Sequence, residues 1–205
     1  MQEIYSLTML LSITSFTFAG VLTPGPNNIM LLSSGLTFGY KNTIPHILGV
    51  VLGFTIMVIL VGLGLGAIFE TFPIIFTILK FIGISYLFWM AWHIANSKSE
   101  IKTKNNQNSK PFTFIQAASF QWVNPKAWFM AITTTVSFVT NPEHGFIQVL
   151  IIAFIFMLAG FISTNIWTLG GVYLKKLIKN PLHVKIFNIT MAVLIITSVL
   201  PVIFE

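Results

Sequence analysis

The heptapeptide Leu22-Thr23-Pro24-Gly25-Pro26-Asn27-Asn28 stands in the middle of a run from Ile4 to Tyr40 that carries no charge. At ~1.5 Å per residue an unbroken helix of that length would reach ~55 Å, well beyond the ~30 Å hydrocarbon core of a bilayer. The run therefore breaks or turns. Two prolines remove two backbone donors and the glycine between them relaxes the chain, so carbonyls of the preceding turn lose their partners. In an apolar medium such groups are tolerated only where protein satisfies them or where they line a cavity. Asn27 and Asn28 follow at once with amide donors and acceptors. A discontinuous helix of this kind is one way to build a polar site inside a membrane; a kinked helix packed on its neighbours is the other reading.

The rest of the chain makes the bilayer its solvent. Of 205 residues, 55% are hydrophobic and 8% charged, where a soluble domain carries roughly 25% charged residues. Mean hydropathy is +0.87. A water-soluble monomer does not fit this composition. Since a crossing helix needs ~20 apolar residues, the pattern predicts an all-α membrane protein of six transmembrane helices, near residues 4–37, 44–69, 74–95, 112–139, 146–174 and 184–203. Pro45, Pro73, Pro111, Pro142 and Pro181 stand at or just before the expected starts, where a missing N–H costs nothing. Met1-Gln2-Glu3 lacks the basic region of a secretory signal, so the first helix is expected to stay in the mature protein.

All eleven basic residues are lysines and all five acids are glutamates. Placing the N-terminus outside sends Glu3, Glu70, Glu143 and Glu205 out, and Lys41, Lys98, Lys102, Lys104, Lys110, Lys175, Lys176, Lys179 and Lys185 in, with Glu100 the one glutamate on the inner side. That is the positive-inside arrangement, and it predicts a multi-pass protein of the cytoplasmic (inner) membrane with both termini outside. Lys80 falls within snorkelling reach of the outer interface.

Residues 97–111, with the polar run NSKSEIKTKNNQNSK at 96–110, read as a cytoplasmic linker between a first three-helix repeat (1–96) and a second (112–205). Three helices per half make the halves enter the membrane from opposite sides, the arithmetic of an inverted repeat. Pro24 and Pro125 lie 101 residues apart and Lys80 and Lys185 lie 105 apart, so the halves are nearly in register. Helices 1 and 4 are the ones expected to break.

The second break is Asn124-Pro125-Lys126-Ala127, and it places a cation inside the fourth helix. A charge at the bilayer centre costs ~3 kcal/mol or more and usually faces a watery or paired interior. No expected helix contains an acid to neutralise it. Its partners are then carbonyls, water or an incoming anion such as an amino-acid carboxylate, unless Lys126 snorkels to the interface. The candidate substrate-binding set is Pro24, Gly25, Pro26, Asn27, Asn28, Asn124, Pro125 and Lys126.

Other features read more plainly. Gly49, Gly53, Gly62, Gly64 and Gly66 suit helix packing. Ser163, Thr164 and Asn165 fit either interhelical hydrogen bonds or the lining of a path. His46, His93, His144 and His183 fall near expected helix ends and read as interfacial, and the five tryptophans as belt or packing residues. With no arginine and no basic patch interleaved with stacking aromatics, nucleic-acid binding is excluded. Absence of cysteine excludes disulfides, thiolate metal sites and thiol relays. Paired carboxylates, metal-ligand clusters, GxSxG and phosphate loops are also missing, so neither an enzyme, a metal nor a cofactor is expected.

At its two broken helices the chain resembles the lysine-exporter (LysE-type) translocator family, including its homoserine and threonine efflux branch. The family's Pro-Gly-Pro in the first helix is met by Thr23-Pro24-Gly25-Pro26-Asn27, and its Asn-Pro-Lys-Ala in the fourth by Asn124-Pro125-Lys126-Ala127. Length, helix count and the central polar loop agree along the whole chain. The resemblance implies export of amino acids or related small metabolites across the cytoplasmic membrane, coupled to the proton-motive force, with a small-molecule substrate, lipid around the protein and room for a homo-oligomer. Two departures stand out: Asn188 replaces an expected glycine in the sixth helix, and no carboxylate is embedded in the membrane. Carbonyls at the Pro24 break, with Asn27 and Asn124, are then the candidates to hold a substrate ammonium. A small channel or a membrane assembly factor is the alternative function.

Overall fold

The computed structural model describes residues 4–65, 71, 73–96, 110–141, 143–177 and 181–204. Their regular structure is helical throughout. In chain order the helices are α1 (Leu7–Leu22), α2 (Pro26–Phe38), α3 (Tyr40–Leu60, continued by a π-helical turn Val61–Leu65), α4 (Pro73–Ala95) and α5 (Phe114–Phe120). After a 3-10 turn (Gln121–Val123) come α6 (Pro125–Phe138), α7 (Gly145–Leu177) and α8 (Pro181–Phe204).

Local chemistry explains the starts. The Ser6 hydroxyl accepts the Met9 N–H ahead of α1. Thr113 and Gln116 form a capping box on α5. Pro26 and Pro125 occupy the first helical positions of α2 and α6, and Pro73 and Pro181 open α4 and α8, where the ring removes only an N–H that had no partner. Gly39, at φ +79°, makes the sharp turn between α2 and α3. Pro45 departs from expectation. The helix begins at Tyr40, four residues early, so Pro45 lies inside α3. The carbonyl it cannot reach belongs to the exposed Lys41, where water can take its place.

Among the described residues, the Tyr40–Leu65 and Gly145–Lys175 segments are long and apolar enough to cross a membrane, and the pair α1 plus α2, bent by 54°, makes a third span if counted as one. Large apolar side chains such as Ile56, Phe81, Trp92 and Phe154 are exposed, as suits a lipid-facing surface. The linker expected at 97–111 lies outside the described residues from 97 to 109, as do Gly66 and Pro142.

Two of the hydrophobic clusters are of different make-up. One joins α1 and α6 with α3 and α7 around Ile13, Met57, Trp128 and Phe156; another joins α2 and α5 with α3 around Leu31, Ile47, Val51 and Ala117. Helices α2 and α3 both pack along α7, and α4 packs on α8. The α2–α7 contact is backbone to backbone: a Cβ on Gly35 would strike the Thr168 carbonyl, and one on Gly171 the Leu32 carbonyl. Gly49 and Gly53 likewise let α3 approach Phe114 and Ala118 of α5, and Gly62 rests on Val149, so these three serve packing. Gly64, at φ +117°, meets nothing and serves the turn.

Polar pairs pin the ends. Ser34 and Thr43 hydroxyls meet at 3.0 Å, and Tyr40 donates to the Asn165 carboxamide at 2.5 Å. Gln148 accepts from the Thr140 and Asn141 N–H groups and donates to the Ile4 carbonyl. Tyr5 donates to the Phe138 carbonyl at 2.6 Å, and burial pushes its hydroxyl up to about 12, so it remains a neutral donor. His46 corrects the interfacial reading. It is fully buried, stacked on Phe112 at 5.1 Å, with no hydrogen-bond partner on either ring nitrogen. His183 is exposed and His144 half-buried.

Gly35→Ala or Gly171→Ala should destabilise the protein by about 1–3 kcal/mol, the range for overpacking, whereas Gly170→Ala, whose Cβ meets only the tip of Leu32 at 3.4 Å, should be close to neutral. Thermal unfolding in detergent separates the three; equal melting temperatures would contradict the backbone contact.

Candidate functional site

The break between α1 and α2 strands several carbonyls, and side chains reach those of Val21 and Thr23. Pro24 and Pro26 have no N–H to return to the preceding turn. Thr23 closes α1 by donating both its N–H and its hydroxyl to the Ala19 carbonyl. The Val21 carbonyl accepts from Asn28 Nδ2 at 2.8 Å and from the Ser163 hydroxyl of α7 at 2.7 Å. The Thr23 carbonyl accepts from Asn28 Nδ2 and from Lys126 Nζ, each at 2.9 Å. Asn28 thus serves with one amide two carbonyls left over where the chain turns out of α1.

The second break lies between α5 and α6. Asn124, in an extended conformation, caps α6 by accepting the Lys126 N–H at 3.2 Å, and its own N–H reaches the Gln121 carbonyl. Asn27 and Gln121 tie the two breaks together through reciprocal amide bonds of 2.8 and 3.2 Å. Gln121 is fully buried and also donates to the Ala117 carbonyl, so its amide is locked from both sides.

Lys126 is half-buried and its stem lies over Gly25. A Cβ there would stand 3.0 Å from both Cδ and Nζ of the lysine. The glycine is needed for space and not for its dihedral, since φ is −169°, ordinary extended backbone. An ammonium has three donors; the Thr23 carbonyl takes one, which leaves the cation anchored and still able to bind.

Between the breaks lies a cavity of about 60 Å³, enough for several waters. Gly25, Pro26, Asn27, Asn28, Asn124 and Lys126 line it, while Pro24 and Pro125 are not among its lining residues. Sequence reasoning missed the apolar wall: Val50, Val51 and Phe54 of α3, Met130 of α6, and Phe156 and Gly160 of α7. Ser163 and Thr164 do both things left open for them: Ser163 bonds across helices and both line the cavity. Asn165 serves only in the pairing described above, accepting from Tyr40 and donating to the Phe161 carbonyl. Val50 and Phe54 are ten and fourteen residues from the start of the 26-residue segment Tyr40–Leu65, or ~15 and ~21 Å along it, near its middle. The lining contains one cation and no carboxylate. Among the described residues no group of His, Cys, Asp or Glu side chains is arranged to hold a metal.

A family model described as LysE type translocator matches residues 18–200. A cysteine/O-acetylserine efflux protein of Salmonella typhimurium is 28% identical over 182 residues, covering 89% of this chain and 91% of its own. The protein of the same name from Escherichia coli strain K12 is 27% identical over 191 residues, covering 92% and 94%. No solved structure matches significantly.

Asn28→Ala leaves the Thr23 carbonyl with Lys126 alone and the Val21 carbonyl with Ser163 alone; at ~1–3 kcal/mol for an under-satisfied buried group, a melting-temperature drop of several degrees is expected. A variant as stable as the wild type would show that the amide is not what satisfies the break.

Proposed function

The chain belongs to the LysE type translocator family, and we propose that it exports small neutral amino acids or their derivatives, of the cysteine and O-acetylserine class, across the cytoplasmic membrane. It is a transporter and not an enzyme. The observation that carries the substrate reading is the half-buried Lys126 ammonium, one bond to the Thr23 carbonyl made, beside a mid-depth cavity whose lining holds no acid. A substrate carboxylate completes that cation. The Asn27, Asn28 and Asn124 carboxamides and hydroxyls of Ser163 and Thr164 offer neutral dipoles to the substrate ammonium, and the apolar wall receives a short side chain. Lysine and arginine are disfavoured, because their second positive charge would enter a cavity with a resident cation.

We read the architecture as six spans, α1–α2, α3, α4, α5–α6, α7 and α8, forming repeats 1–96 and 112–205 about the linker 97–111, with both termini outside. Two features support a pseudo-two-fold. The pairs that the operation maps onto themselves, α3 with α7 and α4 with α8, pack together. The cluster around α1 and α6 and the cluster around α2 and α5 exchange under it. The breaks then divide an outer pair of half-helices from an inner pair, and proton-driven export proceeds by loosening one pair at a time around a fixed cavity.

Inside-out vesicles test this. They should accumulate labelled O-acetylserine or cysteine in a saturable manner, more so with an imposed pH gradient, and should not accumulate labelled lysine. Lys126→Met at wild-type membrane abundance should abolish the accumulation. Equilibration without accumulation would mean a channel, and full activity of Lys126→Met would remove the lysine from the substrate site.

A further inference from the structure

Nearly every described glycine has a visible reason to be glycine. Gly20, Gly25, Gly35, Gly49, Gly53, Gly62, Gly83 and Gly171 each sit where a Cβ would meet another atom at 3.0 Å or closer, and Gly39 and Gly64 have positive φ. Gly160 has neither. It lies in the middle of the 33-residue helix α7, in ordinary helical conformation, and the position a Cβ would take has no atom within 4 Å. A helix-interior glycine without a packing partner is less favourable than alanine, so the packing of this fold gives no reason for it.

The open space beside it is the cavity. Phe156, Gly160, Ser163 and Thr164 follow i, i+4, i+7, i+8 along α7 and share one face; all four line the cavity, whereas Leu158, Phe161 and Ile162 are exposed on the other side. The missing side chain therefore points where a solute would lie, opposite neither lipid nor another helix.

We infer that Gly160 sets the upper size of the side chain the cavity accepts, its absent Cβ being the volume that admits a group longer than that of cysteine, such as an O-acetyl ester. This rests on the export reading above. It goes beyond it by naming a residue that selects among substrates without touching their charged ends.

The chain has no cysteine, so Gly160→Cys introduces a unique thiol. In the purified, folded protein that thiol should react with a small, membrane-impermeant methanethiosulfonate, and O-acetylserine should slow the reaction. In Gly160→Ala and Gly160→Val, the ratio of O-acetylserine to cysteine flux should fall stepwise, by about tenfold for valine, as an added methyl or two in a pocket discriminates. The melting temperature of Gly160→Ala should equal or exceed the wild-type value. An unreactive thiol, an unchanged flux ratio in Gly160→Val, or a lower melting temperature in Gly160→Ala each overturns the inference, the last by showing a packing glycine. A wild type that carries neither compound sinks the export reading instead, and labelling alone then decides whether residue 160 faces open water.

Discussion

A backbone carbonyl that has lost its helical partner in hydrocarbon has nowhere to turn except to the protein itself. Everything at the centre of this molecule follows from that requirement at Val21 and Thr23. Asn28 serves both carbonyls from one amide, Ser163 arrives from α7, and Lys126 arrives from α6. The polar cluster is thus assembled from three separate stretches of chain because two prolines demanded it. With the break healed instead of broken, none of those side chains would have cause to meet.

The same arrangement resolves the cost of the buried cation. An ammonium with no carboxylate near it is held by a carbonyl dipole and by the shape of Gly25, which lets the lysine stem lie flat. A carboxylate partner would have neutralised it and removed its reason to attract an anion. Beside the half-satisfied charge, Asn27 and Gln121 hold one another by reciprocal amide bonds and Gln121 also donates to the Ala117 carbonyl, which fixes the orientation of both amides.

Both breaks could be read from residue order, since Pro24-Gly25-Pro26 and Asn124-Pro125-Lys126 are local instructions that any apolar environment must obey. Six of the eight residues picked out for the site do line the cavity. Their partners could not be read. Lys126 reaches a carbonyl 103 residues away and Asn27 an amide 94 residues away, and no periodicity encodes those distances. The apolar wall was illegible for another reason: Phe54, Phe156 and Gly160 look like members of any hydrophobic helix until the neighbours are in place. His46 failed similarly, because its burial depends on a chain segment that returns from residue 110 onward. Pro45 shows the limit of boundary rules, which place a proline near a helix start without saying on which side of it.

The glycine contacts between α2 and α7 bear on motion. Where Gly35 and Gly171 bring two backbones together with no side chain between them, the two helices cannot slide or roll without colliding. They pack as a unit. The irregular backbone between α1 and α2 is then confined to Thr23, Pro24 and Gly25, and the Lys126 bond to the Thr23 carbonyl closes across that gap.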